Sequence, residues 1–74
     1  EPITGPTLTS PMGGRIITVA VKPGDSVKKG ELLLVYEAMK MENDVVADKN
    51  VTVKRAFVKP DDVVATDQVL IEFE

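Results

Sequence analysis

The sequence predicts an all-β fold, a small barrel or sandwich built from two similar halves. Three observations carry this: an internal repeat, runs of β-branched residues in each half, and turn residues spaced at short intervals. Residues 21–27, Val-Lys-Pro-Gly-Asp-Ser-Val, return at residues 58–64 as Val-Lys-Pro-Asp-Asp-Val-Val, an offset of 37 residues. The same offset pairs Ile16 with Val53, Leu33 with Leu70, Leu34 with Ile71, Tyr36 with Phe73 and Glu37 with Glu74. Two copies are too few for a solenoid. They imply two halves facing each other across one core with approximate two-fold symmetry.

Residues 1–9 combine two prolines, a glycine and several threonines without a hydrophobic period. They are expected as a linker or tail, with the folded unit over residues 10–74 starting near Ser10. Residues 16–21 and 51–58 are rich in β-branched side chains. Each run ends in a turn, Lys-Pro-Gly-Asp or Lys-Pro-Asp-Asp, whose proline presets φ. Strands then resume, and the pairs Leu32/Val69, Leu34/Ile71 and Tyr36/Phe73 occupy one alternating face that should point inward. A helix over residues 31–43 competes, since Leu, Glu, Ala, Met and Lys favour helix. Its counterpart over residues 68–74 is a short run of Val, Leu, Ile and Phe, which argues for strand in both halves. Lys28-Lys29 and Asp61-Asp62 are expected as solvated turn faces.

Composition narrows the function. With 74 residues, one core is the limit, and a chain this short buries only about 60% of its unfolded surface. There is no cysteine and no histidine, which removes disulfides, the usual zinc ligands and the usual general base at neutral pH. Twelve acidic against nine basic residues, a net charge of −3, argue against a nucleic-acid footprint. Tyr36, Phe57 and Phe73 are too few for a base-stacking platform. The longest apolar run, residues 32–36, falls far short of the ~20 residues that cross a bilayer as a helix. The first residues carry no signal-peptide pattern, which leaves a targeting segment on a longer precursor open.

The segment over residues 38–46 has no partner in the repeat, so it connects the halves and should lie at one end of the molecule, opposite the chain termini. It holds a lysine between two methionines. Glu37-Ala38-Met39-Lys40-Met41-Glu42 resembles the attachment motif of biotinyl domains, the biotin carboxyl carrier proteins and domains of biotin-dependent carboxylases, decarboxylases and transcarboxylases. Ser10-Pro11-Met12-Gly13-Gly14 resembles the opening of such domains, and residues 21–30 resemble their first turn. The resemblance covers residues 10–74.

It implies a flattened barrel of two four-stranded sheets, a barrel-sandwich hybrid, with biotin joined covalently to Lys40 on a tight hairpin turn. A primed turn there would demand positive φ from Met39 and Lys40, which lack the Asn-Gly preference, so backbone strain is expected. An exposed primary amine is protonated and a poor nucleophile at neutral pH, so activation must come from a partner. The resemblance names that partner as biotin protein ligase acting through biotinyl-adenylate. It further implies that biotin on Lys40 carries a carboxyl group between a biotin carboxylase and a carboxyltransferase, and that the chain is a non-catalytic carrier. The implied location is cytoplasmic, or an organellar matrix for a longer precursor, with membrane-associated complexes included. Among the flanking residues, Met39 and Met41 suit adaptable apolar contacts or ordinary hairpin packing. Glu37 and Glu42 suit positioning of the turn by the ligase or plain solvation, and Ala38 is small enough to let an enzyme approach.

Two departures stand out. The family usually has Gly at the position of Val51, which Gly14 keeps in the first half. If the backbone there needs positive φ, Val51 is strained and Val51→Gly should not lower thermal stability. The run from Ile16 to Gly24 also lacks the inserted thumb loop of some bacterial acetyl-CoA carboxylase carriers, which favours a thumbless carrier. Two other readings remain at this point: a lipoyl carrier domain, which usually has Asp-Lys-Ala in place of Met39-Lys40-Met41, and an unmodified barrel module of a membrane-fusion adaptor.

Overall fold

A computed structural model of the chain describes residues 6–74; the part of the expected tail over residues 1–5 lies outside the described residues. Eight strands follow in order: β1 (Thr7–Thr9), β2 (Gly14–Val19), β3 (Ser26–Val27), β4 (Leu32–Ala38), β5 (Met41–Val46), β6 (Val51–Ala56), β7 (Val63–Val64) and β8 (Val69–Phe73). They form two four-stranded antiparallel sheets of order β1-β8-β6-β3 and β5-β4-β2-β7. Adding 37 to the residue numbers carries β2, β3 and β4 onto β6, β7 and β8, and β1 onto the end of β5. One sheet therefore maps onto the other, as the repeat requires. The competing helix over residues 31–43 is replaced by β4, the hairpin turn and the start of β5.

The halves are stitched through each other. In the first turn the Lys22 N–H donates to Asp25 Oδ2 at 3.0 Å, and in the second the Lys59 N–H donates to Asp62 Oδ2 at 3.0 Å. Each turn then bonds to the other half's strand. Gly24 N–H donates to the Val53 carbonyl at 2.8 Å, and its counterpart Asp61 N–H donates to the Ile16 carbonyl at 2.8 Å. These reciprocal bonds satisfy backbone groups that short strands would otherwise leave orphaned. The turns demand left-handed backbone at matching places: Gly24 (φ 92°) and Asp61 (φ 76°), Gly30 (φ 90°) and Asp67 (φ 66°). Glycine takes this conformation freely, and aspartate tolerates it better than most residues.

Between the sheets lies a core of symmetry-related pairs: Ile16 with Val53, Leu33 with Leu70, Leu34 with Ile71, Tyr36 with Phe73. The molecule is only 17 Å across its thinnest axis against 31 and 28 Å along the others, as two sheets packed face to face require. Inward orientation holds for Leu34/Ile71 and Tyr36/Phe73 but not for Leu32/Val69. Leu32 is exposed and Val69 only half-buried, while Leu33 and Leu70 fill the core. The cause is a β-bulge in each half. Leu34 faces Val45 and Leu32 faces Val46, so Leu33 is an extra residue; Ile71 faces Leu8 and Val69 faces Thr9, so Leu70 is its counterpart. A bulge breaks the two-residue alternation and lets consecutive residues turn inward.

The expected linker over residues 1–9 needs correction at its end. Thr7–Thr9 form β1, paired with β8, and Leu8 packs against the core. The folded unit thus starts before Ser10. A three-residue edge strand with one apolar side chain has no hydrophobic period to betray it, although the repeat offset does place it on the end of β5.

Candidate functional site

Strands β4 and β5 are joined by a two-residue turn, Met39-Lys40, closed by the pairing of Ala38 with Met41. Both turn residues lie in the left-handed region, φ 54° at Met39 and 65° at Lys40. That is the backbone a primed hairpin turn needs, and neither residue favours it, so the turn is held by the strands on either side. Ala38 is buried and seats the turn on the core, whereas Met39 is 84% and Met41 66% exposed. Hairpin packing therefore does not account for the methionines. Lys40 is exposed at the apex and makes no ion pair within 4 Å among the described residues.

The turn's seat explains Gly14. A Cβ on Gly14 would stand well inside contact distance of the Glu37 carbonyl oxygen and 3.3 Å from the Ala38 Cβ. Gly14 is needed for this close approach, since its φ is not positive. Val51, the counterpart, is not at positive φ either and is half-buried against the core. The expectation of strain at Val51 is thus overturned: the glycine serves strand-to-hairpin contact, which the second half does not make at Val51.

Across the outer face of this sheet runs the row Val63, Arg15, Glu37, Glu42, aligned by strand register. Arg15 Nη2 lies 3.6 Å from Glu37 Oε1, an exposed pair worth at most about 1 kcal/mol. Glu42 faces Glu37 directly, a like-charge neighbour that Arg15 offsets. Asn43 steadies the start of β5 by donating from Nδ2 to the Met41 carbonyl at 3.1 Å. Beside the turn lies a shallow groove of about 530 Å³, lined by Gly13, Arg15, Glu37, Met39, Lys40 and Val63 among others. The sequence reading brings Glu37, Ala38, Met39, Lys40, Met41 and Glu42 together at one hairpin, and the structure does so. It missed Gly13, Gly14, Arg15 and Val63, which reach the same place from β2, β7 and the segment before β2. The repeat held a signal for Val63, since its counterpart Ser26 is polar.

The site is thus a symmetric β scaffold that holds an exposed lysine out on a strained two-residue turn. The chain belongs to the biotin/lipoyl family, whose sequence profile, described as "Biotin-requiring enzyme", matches residues 6–73. It is 44% identical over 71 residues to the mitochondrial propionyl-CoA carboxylase alpha chain of Homo sapiens, covering 96% of this chain and 10% of that one. It is 51% identical over 47 residues to the methylmalonyl-CoA decarboxylase subunit gamma of Veillonella parvula, covering 64% of this chain and 36% of that one. Among solved structures, a single-chain, multi-domain long-chain acyl-CoA carboxylase superposes with a TM-score of 0.84 at 32% identity, over 92% of this chain and 7% of that one. The lipoyl domain of the Azotobacter vinelandii 2-oxoglutarate dehydrogenase complex superposes with a TM-score of 0.83 over 92% of this chain and 94% of that one. At 23% identity, that likeness shows the fold alone. The chain spans about a tenth of the length of the propionyl-CoA carboxylase relatives it matches.

Proposed function

We propose that Lys40 is the point of covalent biotin attachment and that the chain is a non-catalytic carrier within a larger acyl-CoA carboxylase or decarboxylase. The single observation that carries this is Lys40 itself, held at the apex of a two-residue turn between exposed Met39 and Met41 in a chain of this family. The residues fit the group: a primary amine clear of carboxylates can form an amide with a carboxylic acid, and the protruding hairpin can enter a ligase. Acylation joins Lys40 Nζ to the acyl carbon of biotinyl-adenylate, breaks the acyl–phosphate bond, releases AMP and passes a proton to a base on the ligase. When bound, biotin supplies a ureido nitrogen that accepts and gives up a carboxyl group.

This chain's residues contribute position. Ala38 and Gly14 seat the turn, and the strained pair Met39-Lys40 directs the amine outward. Tethering raises the effective concentration of the carried group at each partner site, provided the connection reaches both. The partners are biotin protein ligase, a biotin carboxylase and a carboxyltransferase, the last acting on an acyl-CoA, as the relatives' names support. The location follows the assembly: an organellar matrix, which the mitochondrial relatives support, or the cytoplasm, including a membrane-associated complex. Intact mass after co-expression with biotin ligase tests the reading. One biotinyl unit that disappears in Lys40→Arg is the expected result; a lipoyl unit, or no addition, overturns it.

A further inference from the structure

The duplication allows the two ends of the barrel to be compared position by position. At the Lys40 end stand Met12, Gly13 and Val63; at the same places in the other half stand Lys49, Asn50 and Ser26. Ser26 and Val63 each open a two-residue strand and sit in the same backbone setting, so folding does not require an apolar side chain there. Yet Val63 is 79% exposed. Met39, 84% exposed, lines the same surface as Val63, so the two form an exposed apolar pair at this end that Ser26 does not form at the other.

Its surroundings indicate which role. Val63 and Met39 line the shallow, open groove beside the hairpin, a surface on which a tethered group can lie without being enclosed. Lys40 lines the same groove, so a group attached to its Nζ is tethered at the rim. The Arg15–Glu37 pair in the groove adds a donor and an acceptor 3.6 Å apart. Apolar walls with one donor and one acceptor match a flexible alkyl chain that ends in an apolar ring bearing a urea. We infer that the biotinyl arm on Lys40 folds back into this groove, with its apolar part against Val63 and its urea toward Arg15 and Glu37. A tethered group needs little intrinsic affinity to occupy such a site, because its local concentration is in the millimolar range.

The inference rests on the proposed attachment, and the two fail separately. Intact mass decides the attachment. Amide and methyl NMR spectra of the biotinylated chain, the unmodified chain and Lys40→Gln then decide the docking, with Lys40→Gln reporting loss of the lysine charge alone. The expected result is a shift of the Val63 methyls and the Gly13 amide only on biotinylation, with cross-relaxation between Val63 and the arm. Val63→Ser, which copies Ser26, should abolish the biotinylation-dependent shift of the Gly13 amide and speed capture of the arm by avidin about threefold, in proportion to the freed fraction. Val63→Thr, nearly isosteric, serves as a second folded variant with the same expected direction. No Val63 contact with the arm and an unchanged capture rate would overturn the proposal. So would a rise in the ligase KM for Val63→Ser without any contact, which would assign the surface to the ligase.

Discussion

Lys40 and Met39 show how a single turn couples strain to presentation. Two successive non-glycine residues at φ 54° and 65° cost of order 1 kcal/mol or more each, and the β4–β5 pairing on both sides carries that cost. Met39→Asn places a residue at ease in the left-handed region into the turn. It should stabilise the chain by about 0.5–1 kcal/mol in urea unfolding, with Lys40 still exposed. Glycine at position 14 poses the reverse problem. Gly14→Ala forces a methyl against the Glu37 carbonyl, which is backbone and cannot swing away. The expected loss is about 1–3 kcal/mol, accompanied by amide shifts at Ala38 and Met39 as the hairpin is pushed from its seat.

At the scale of the element, bulges decide which side chains enter the core. Leu33 and Leu70 are each the extra residue of a bulge, and Ile17 and Lys54 play that part in β2 and β6, where Ile16 and Val53 keep their core places. All four lie at positions related by the repeat. Strand β6 also resolves the question of Val51. With ordinary backbone and a half-buried side chain in a strand, Val51→Gly removes packing and adds unfolded-state entropy. We expect it to lower the melting temperature, by an amount equivalent to about 1–2 kcal/mol. An unchanged or raised melting temperature would show that the strand does not need that side chain.

The whole molecule departs from its own symmetry at one buried charge. Thr18 faces Val35 in one sheet, and at the same places in the other Arg55 faces Glu72. Glu72 is fully buried, accepts from Arg55 Nε at 2.6 Å and has Lys54 Nζ at 3.9 Å. Arg55 also lies over the Phe57 ring, 5.4 Å from its centre. Arg55→Thr should therefore cost about 2 kcal/mol or more, because a buried carboxylate loses its main partner. The double variant Arg55→Thr/Glu72→Val copies the first sheet and should recover most of that loss, since a buried pair replaced by well-packed neutral residues is often close to neutral. A double-mutant cycle in urea checks this. Simple addition of the two single effects would show that the pair is not coupled.

Much was legible in order along the chain. The 37-residue offset established two facing halves, the proline turns placed the strand ends, and Met39-Lys40-Met41 stood out as the segment without a counterpart. These are patterns among neighbours in sequence, and short-range stereochemistry enforces them. The tertiary structure alone decided that Leu33 rather than Leu32 faces inward, that Thr7–Thr9 belong to a sheet, that Gly14 is required by an approaching carbonyl, and that Val63 stands exposed beside Lys40. Each of those depends on register between strands far apart in the chain, where a shift of one residue exchanges inside for outside.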